Sequence, residues 1–231
     1  MKLNTIYNTD SIEYMKGLKD ECIDLIITDP PYKITRRGNT GTSGGMFKGE
    51  LSMKGKIFKN NDITPKDYIP ELYRILKSGS HCYIMTNHVN LQEILNTATE
   101  CGFHFIKSLI WDKGNKIMGQ CYMSQFEYIL FFRKGKHKKI NNCGTSDILS
   151  VPNKKTKDEN GKNLHDVEKP VNLMKVLVEN SSNKGDLVLD PFMGIGATGI
   201  ACVKSDRNFI GIEIDENYFN IAKERMESNT K

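Results

Sequence analysis

The segment Ile23-Asp24-Leu25-Ile26-Ile27-Thr28-Asp29-Pro30-Pro31-Tyr32 admits few folds. Ile23, Leu25, Ile26 and Ile27 form a short apolar run of the kind found in strands buried on both faces, and such strands belong to parallel sheets covered by helices on either side. Pro30 and Pro31 have no N–H to give to a ladder, and each biases its predecessor towards extended backbone, so the strand must stop there. The expected result is a stiff turn that presents Asp29, the Pro30 carbonyl and the Tyr32 ring at the carboxyl end of a sheet. Open α/β sheets bind their ligands at that end. A plain surface turn between strand and loop is the alternative.

The rest of the chain supplies partners for such a strand. Residues 3–8 read as a short strand, and Asp10 with Glu13 three positions later starts a helix to about Leu18, with Ile12, Met15 and Leu18 inward. Pro65 opens a second helix whose apolar face is Tyr68, Ile69, Leu72, Ile75 and Leu76, with Gly79 marking its end. A strand over His81–Met85, a helix closed near Gly102, and strands over Phe103–Trp111 and Phe126–Phe132 follow. A helix from about Lys169 to Asn180, strand Leu187–Asp190, helix Ala197–Lys204, strand Phe209–Glu213 and a last helix capped by Asp215 complete the order. This βα alternation predicts an α/β fold, a doubly wound and mostly parallel sheet, in one domain over residues 1–231.

Two stretches lack periodicity, 33–63 and 133–165, and both are basic. Residues 33–59 hold seven Lys/Arg against Glu50 alone, and residues 133–157 hold eight against Asp147 alone, although the whole chain carries only +5. Positive charge gathered into two segments points to a polyanionic partner rather than to a generally basic surface. A solvated loop that happens to be basic is the alternative for each. The six cysteines show no Cys-x-x-Cys pair and no zinc spacing, so reduced thiols, no metal site and a cytoplasmic location are expected. No apolar run is long enough for a membrane span, and Met1-Lys2-Leu3-Asn4 does not begin a signal peptide.

Near the other end, Asp190-Pro191-Phe192-Met193-Gly194-Ile195-Gly196-Ala197-Thr198-Gly199 joins strand to helix. Its glycines let backbone approach a ligand closely, and a helix N-terminus offers free N–H groups. Glu213, at the end of the next strand, is placed to accept both hydroxyls of a ribose, as in nucleoside-containing cofactors. Gly194, Gly196 and Gly199 also fit the dinucleotide pattern G-x-G-x-x-G, which makes an NAD domain the natural rival. Against it, Asp190-Pro191-Phe192-Met193 stands between the strand and the first glycine, where dinucleotide folds run almost directly into it.

Asp-Pro-Pro-Tyr after a hydrophobic strand resembles the catalytic motif of S-adenosylmethionine-dependent DNA methyltransferases acting on exocyclic amines. Asp-Pro-Phe-x-Gly-x-Gly at 190–196 resembles the cofactor motif of the same family. The segments Trp111-Asp112-Lys113 and Glu127-Tyr-Ile-Leu resemble it more weakly, as does His165-Asp-Val-Glu168-Lys169-Pro170. The catalytic motif comes first and the cofactor motif last, the circularly permuted order of the beta class. The resemblance implies a seven-stranded Rossmann-like methyltransferase sheet and S-adenosyl-L-methionine as cofactor. It implies a cofactor site made of Asp10 near the adenine, Lys169 near the carboxylate, Asp190, Pro191, Phe192, Gly194, Gly196 and Glu213. An N-cap role explains Asp10 equally well.

Catalysis would fall to Asp29, Pro30, Pro31 and Tyr32. The amino nitrogen of adenine or cytosine is conjugated with its ring and poorly nucleophilic. Hydrogen bonds to the Asp29 carboxylate and the Pro30 carbonyl would favour a tetrahedral nitrogen and stabilise the charge that develops on it. Tyr32 would stack on the base once flipped out of the duplex. The segments 33–63 and 133–165 would contact DNA, with Arg36, Arg37, Lys136, Lys138 and Lys139 holding phosphates. An aspartate at the first motif position is commoner for adenine in this family and a serine for cytosine, so adenine N6 is the expected target and cytosine N4 the alternative. Methylation of RNA or of a protein amide, and a silent nucleic-acid-binding subunit, are the remaining rivals. Double-stranded DNA is the expected partner. A homodimer and a cognate restriction enzyme are compatible with the resemblance, and the sequence decides neither.

Overall fold

The computed structural model describes residues 2–31, 63–117, 122–157, 159–161, 163–164 and 168–229. Its strands are β1 (Thr5–Tyr7), β2 (Ile23–Thr28), β3 (Leu76–Thr86), β4 (His104–Ile117), β5 (Ser124–Arg133), β6 (Ile148–Ser150), β7 (Leu187–Asp190) and β8 (Asn208–Ile212). Its helices are α1 (Ser11–Lys16), α2 (Pro65–Ile75), α3 (Leu91–Glu100), α4 (Val171–Ser181), α5 (Ala197–Val203) and α6 (Glu216–Asn229).

The strands form one sheet in the order β1-β8-β7-β2-β3-β5-β4-β6. Every described pairing is parallel except the two made by β5, which runs back between β3 and β4. The run Ile23–Thr28 is central, with β7 on one side and β3 on the other. Its side chains divide between two cores. Leu25 and Ile27 join the cluster containing Leu173 and Leu177 of α4 and Ile200 of α5. Ile23 and Ile26 join Met15 of α1, Leu72 of α2 and Ile94 of α3. Helices therefore cover both faces, and the alternation along β2 records which face each residue meets.

β7 leads through α5 to β8 on one side of the sheet, whereas β2 leads to β3 on the other. The carboxyl ends of β2 and β7 thus diverge at a topological switch point, where a crevice opens.

Three local expectations are revised. Helix α2 stops at Ile75 rather than at Gly79, and β3 begins at once with Leu76. The buried Lys134 ammonium explains the stop, donating to the carbonyls of Tyr73 (2.8 Å) and Leu76 (2.8 Å) at the end of the helix. Gly79 instead sits within β3 at φ +82°, its N–H donating to the Lys134 carbonyl at 2.7 Å. β4 runs on past Trp111 to Ile117, so it and β5 make a longer hairpin than their apolar residues mark. Finally, the basic stretch 133–165 contains an eighth strand, β6, paired with Ile110–Asp112 of β4. Three residues are too few to leave a periodic trace in a sequence.

Candidate active site

At the carboxyl end of β2 the chain leaves the sheet through Asp29, Pro30 and Pro31. A cavity of about 850 Å³ opens there, between this turn and the Asp190–Gly196 turn that follows β7. Asp29, Pro31, Lys169 and Glu168 line one side of it. Asp10, Asp190, Pro191, Phe192, Gly194 and Glu213 line the other. The cavity's size falls in the range of small-molecule and cofactor sites. Pro30 is buried beside the cavity without lining it, and Gly196 shapes the turn from beneath. Tyr32, Arg36, Arg37 and the segment 33–62 lie outside the described residues, as does His165.

Asp29 is held by one oxygen. The Lys169 ammonium bonds Oδ2, while Oδ1 is buried and has no hydrogen-bond partner among the described residues. Burial pushes the Asp29 carboxyl above its ordinary range, and the Lys169 charge pulls against that shift. A buried carboxylate oxygen without a donor costs free energy unless a ligand satisfies it, so Oδ1 marks a place where an N–H or O–H is wanted.

Lys169 belongs to a larger group of buried charges. Glu127 on β5 stands 3.4 Å from the Lys169 ammonium and 2.5 Å from that of Lys113 on β4. Burial works against the Glu127 charge, yet the two ammonium groups outweigh it and hold the carboxyl below its ordinary range. Next along the chain, Glu168 pairs with Arg225 at 2.7 Å and accepts from the Thr156 N–H at 2.7 Å. The Lys155 ammonium donates to the Glu168 carbonyl at 2.9 Å, and burial, then the nearby Lys169 charge, lowers it to about 8. Sequence motifs touched Lys113, Glu127 and Glu168 only weakly, and Lys155 and Arg225 carried no signal at all. Each owes its position to contacts between segments far apart in the chain.

The opposite wall is built on β7 and β8. Gly194 and Gly196 adopt φ +54° and +87°, which turns the chain into α5 within a few residues. Asp190 ties that turn down, accepting from the Phe192 N–H at 3.2 Å and from the Thr198 hydroxyl. Its burial raises its carboxyl to about 7. The Glu213 carboxylate accepts one N–H on each oxygen, from Gly194 (2.9 Å) and from Asp215 (2.8 Å). A carboxylate has about four acceptor positions, so two remain for a ligand's hydroxyls. Asp10 caps α1 through Oδ1, accepting from Ile12 and Glu13 at 2.9 Å each, and it also lines the cavity. The ring of Phe192 packs edge-on against Tyr68 at 5.6 Å.

The cavity, a carboxylate with spare acceptor capacity and a turn of bare backbone therefore fit a nucleoside-bearing cofactor with its ribose at Glu213.

The basic residues of 133–157 split between the two ends of the sheet. Lys138 gives its carbonyl to His81 Nε2 at 3.0 Å, and His81 pairs with Leu25 of β2. Leu25 precedes Asp29 by four residues, so the backbone at Lys138, between Lys136 and Lys139, lies about 13 Å towards the amino end of the strands. Lys155 and Thr156 instead contact Glu168, which lines the cavity, and Lys154 and Lys157 flank them in the chain.

Known proteins bear on these features. The family model for N6/N4 methyltransferases described as DNA methylase matches residues 23–224. The type II methyltransferase M.HinfI of Haemophilus influenzae is 32% identical, over 97% of this chain and 68% of that protein. The crystal structure of the M1.HpyAVI–SAM complex superposes with a TM-score of 0.70 at 27% identity, over 96% of this chain and 98% of that one. The PvuII DNA methyltransferase (cytosine-N4-specific) shares the fold, with a TM-score of 0.74 at 15% identity, covering 100% of this chain and 92% of that one.

Proposed function

Since this chain belongs to the N6/N4 DNA methylase family, and is an S-adenosylmethionine-dependent DNA methyltransferase, we propose that it methylates adenine at N6 and that Asp29 receives the reacting amine. One observation carries the role given to Asp29: a buried oxygen of its carboxylate at the cavity wall lacks a hydrogen-bond donor among the described residues, while its twin is held by Lys169.

The cofactor supplies a methyl group already activated by its sulfonium, so the protein's work is positioning and electrostatics. One N–H of the adenine amine would donate to Asp29 Oδ1 and the other to the Pro30 carbonyl. That arrangement turns the nitrogen lone pair out of conjugation and places negative charge beside the positive charge that grows on nitrogen. Pro31 stiffens the turn, and Tyr32 would stack on the extruded base. Asp29 must be ionised to set a negative charge beside the amine, and the Lys169 ammonium favours that form against the effect of burial.

On the cofactor side, Glu213 would take the ribose hydroxyls and Phe192 and Asp10 would flank the adenine. The backbone of Gly194 and Gly196, held by Asp190 and Pro191, would admit the nucleoside closely. Lys169 has three donors, so one ammonium would serve both Asp29 and the cofactor's carboxylate.

Segments 33–63 and 133–165 are proposed as the DNA-contacting parts of a single domain, with Arg36 and Arg37 on phosphate. Lys154 and Lys157 would reach phosphates near the flipped base, and Lys136, Lys138 and Lys139 would meet only DNA running past the far end of the strands. The preference for adenine rests on Asp29 standing where cytosine enzymes of the family more often carry serine. Incubation of unmethylated duplex DNA with S-adenosylmethionine, then digestion to nucleosides and mass spectrometry, tests it. N6-methyladenine is expected. N4-methylcytosine would overturn the choice of base and leave the role of Asp29 standing.

A further inference from the structure

A buried row of alternating charges runs behind Asp29: Asp29 at the end of β2, Lys169 ahead of α4, Glu127 on β5 and Lys113 on β4. Trp111, 1% exposed, backs the row, its ring centre 5.2 Å from the Lys113 ammonium and 5.9 Å from that of Lys169. The indole N–H is fixed on the Val151 carbonyl at 2.8 Å, so the ring is a fixed surface. Glu127 does not line the cavity. Its Oε2 faces the Lys169 ammonium at 3.4 Å.

Buried ion pairs are weak devices for stability, because desolvation offsets most of their attraction and apolar replacements are often as stable. What Glu127 controls is the place of the Lys169 ammonium. An ammonium facing one carboxylate alone tends to lie between its two oxygens. A second carboxylate, itself anchored, draws it to the near oxygen only. Lys169 does bond Oδ2 of Asp29 and leaves Oδ1 without a partner among the described residues, and Glu127 is anchored by Lys113.

We propose that Glu127 is a positioning residue for methyl transfer: held by Lys113, it keeps Lys169 on Asp29 Oδ2 and so leaves Oδ1 open to the substrate amine. The proposal rests on the reading of Asp29 as the acceptor of that amine. With the Glu127 charge gone, Lys169 bridges both Asp29 oxygens and masks the acceptor. Lys113 acts chiefly through Glu127, beside a smaller direct effect of its charge on Asp29.

The test is single-turnover methylation of duplex DNA by the parent, Glu127→Gln, Lys113→Met and the double variant, with S-adenosylmethionine binding measured by calorimetry. Expected for Glu127→Gln is a loss of about tenfold or more in rate, with cofactor affinity within about twofold of the parent. Lys113→Met slows the parent but adds little loss to Glu127→Gln, as for residues acting mainly in series.

The pH profile supplies a readout that a purely structural role would not move. Asp29 is faced by Lys169, Glu127 and Lys113, by Asp190 on β7 and by Tyr68 on α2. Glu127's negative charge opposes ionisation of Asp29, so its removal moves the acid limb of the rate to lower pH. A Glu127→Gln rate within about threefold of the parent, a loss confined to cofactor affinity, or a Lys113→Met cost equal in both backgrounds would each overturn the proposal. Asp29→Ala separates the two claims. If it is inactive while Glu127→Gln is normal, only the positioning role fails; if it matches the parent, both fail.

Discussion

Lys169 and Asp29 are 140 positions apart in the chain, yet the Lys169 ammonium bonds Asp29 Oδ2 within the described cavity wall. The pair joins the strand that ends in Asp-Pro-Pro to the segment that leads into α4. It therefore couples the proposed acceptor of the substrate amine to the wall proposed for the cofactor.

Glu213 should act on the cofactor and not on the chemistry. Both its oxygens are anchored by backbone N–H groups, so its position is set before a ligand arrives. Glu213→Gln replaces a charged acceptor pair by one carbonyl and one amide donor. S-adenosylmethionine affinity should weaken by about 10- to 100-fold, the cost of losing hydrogen bonds to a charged group. At saturating cofactor the turnover should stay near the parent's. Calorimetry and steady-state kinetics together check both halves.

Much of this site was legible in the sequence because it is written in short, continuous patterns. The run Ile23–Ile27 with two prolines marks a buried strand and its abrupt end, and β2 spans Ile23–Thr28. The Asp190–Gly196 turn and Glu213 were likewise readable, since one strand, one turn and one helix fix their spacing. What could not be read depends on contacts between distant segments. Lys134 sets the end of α2 from 58 positions beyond Leu76, so Gly79 looked like the stop. The ends of the basic stretch 133–157 were indistinguishable as charge, yet β6 carries one of them back along the sheet to the cavity. The Glu127–Lys113 pair spans a hairpin whose length its apolar residues understate.

Salt dependence should separate the two groups of lysines. Removing one cation from a phosphate reduces the slope of log affinity against log salt by about 0.9. Replacing Lys154 and Lys157 with Met should flatten the slope by nearly two such steps on a short duplex centred on the target. Replacing Lys136, Lys138 and Lys139 should leave that slope unchanged. The second group should matter only when the duplex is lengthened. Fluorescence anisotropy over a salt series on short and long duplexes measures this.

His81 should make stability fall in mild acid. It is buried, with Nε2–H donating to the Lys138 carbonyl, so Nδ1 accepts from Ser181, whose oxygen in turn accepts from Tyr83. Burial lowers its pKa from 6.5 to about 4. Between those values the unfolded chain binds the proton and the folded chain does not, so stability is lost as pH falls through that window. Asp190 works the other way, because burial raises it to about 7 and the folded chain keeps its proton up to there. The comparison is therefore between parent and His81→Gln, which retains Asp190. The parent's stability relative to the variant, from urea unfolding, should shrink as pH is lowered from 6.5 towards 4. Parallel curves would remove His81 from the account.

The most direct measurement is single-turnover methyl transfer to duplex DNA by the parent, Asp29→Asn and Asp29→Ala, each with its cofactor affinity and melting temperature determined. Removing a group that stabilises developing charge costs about 100- to 1000-fold in rate, and Asp29→Ala should lose at least that much while still binding S-adenosylmethionine. Asp29→Asn keeps an acceptor oxygen but not the charge, and should fall between the two. An Asp29→Ala protein that is folded, binds cofactor and methylates adenine at the parent's rate would contradict the assignment of the substrate amine to Asp29.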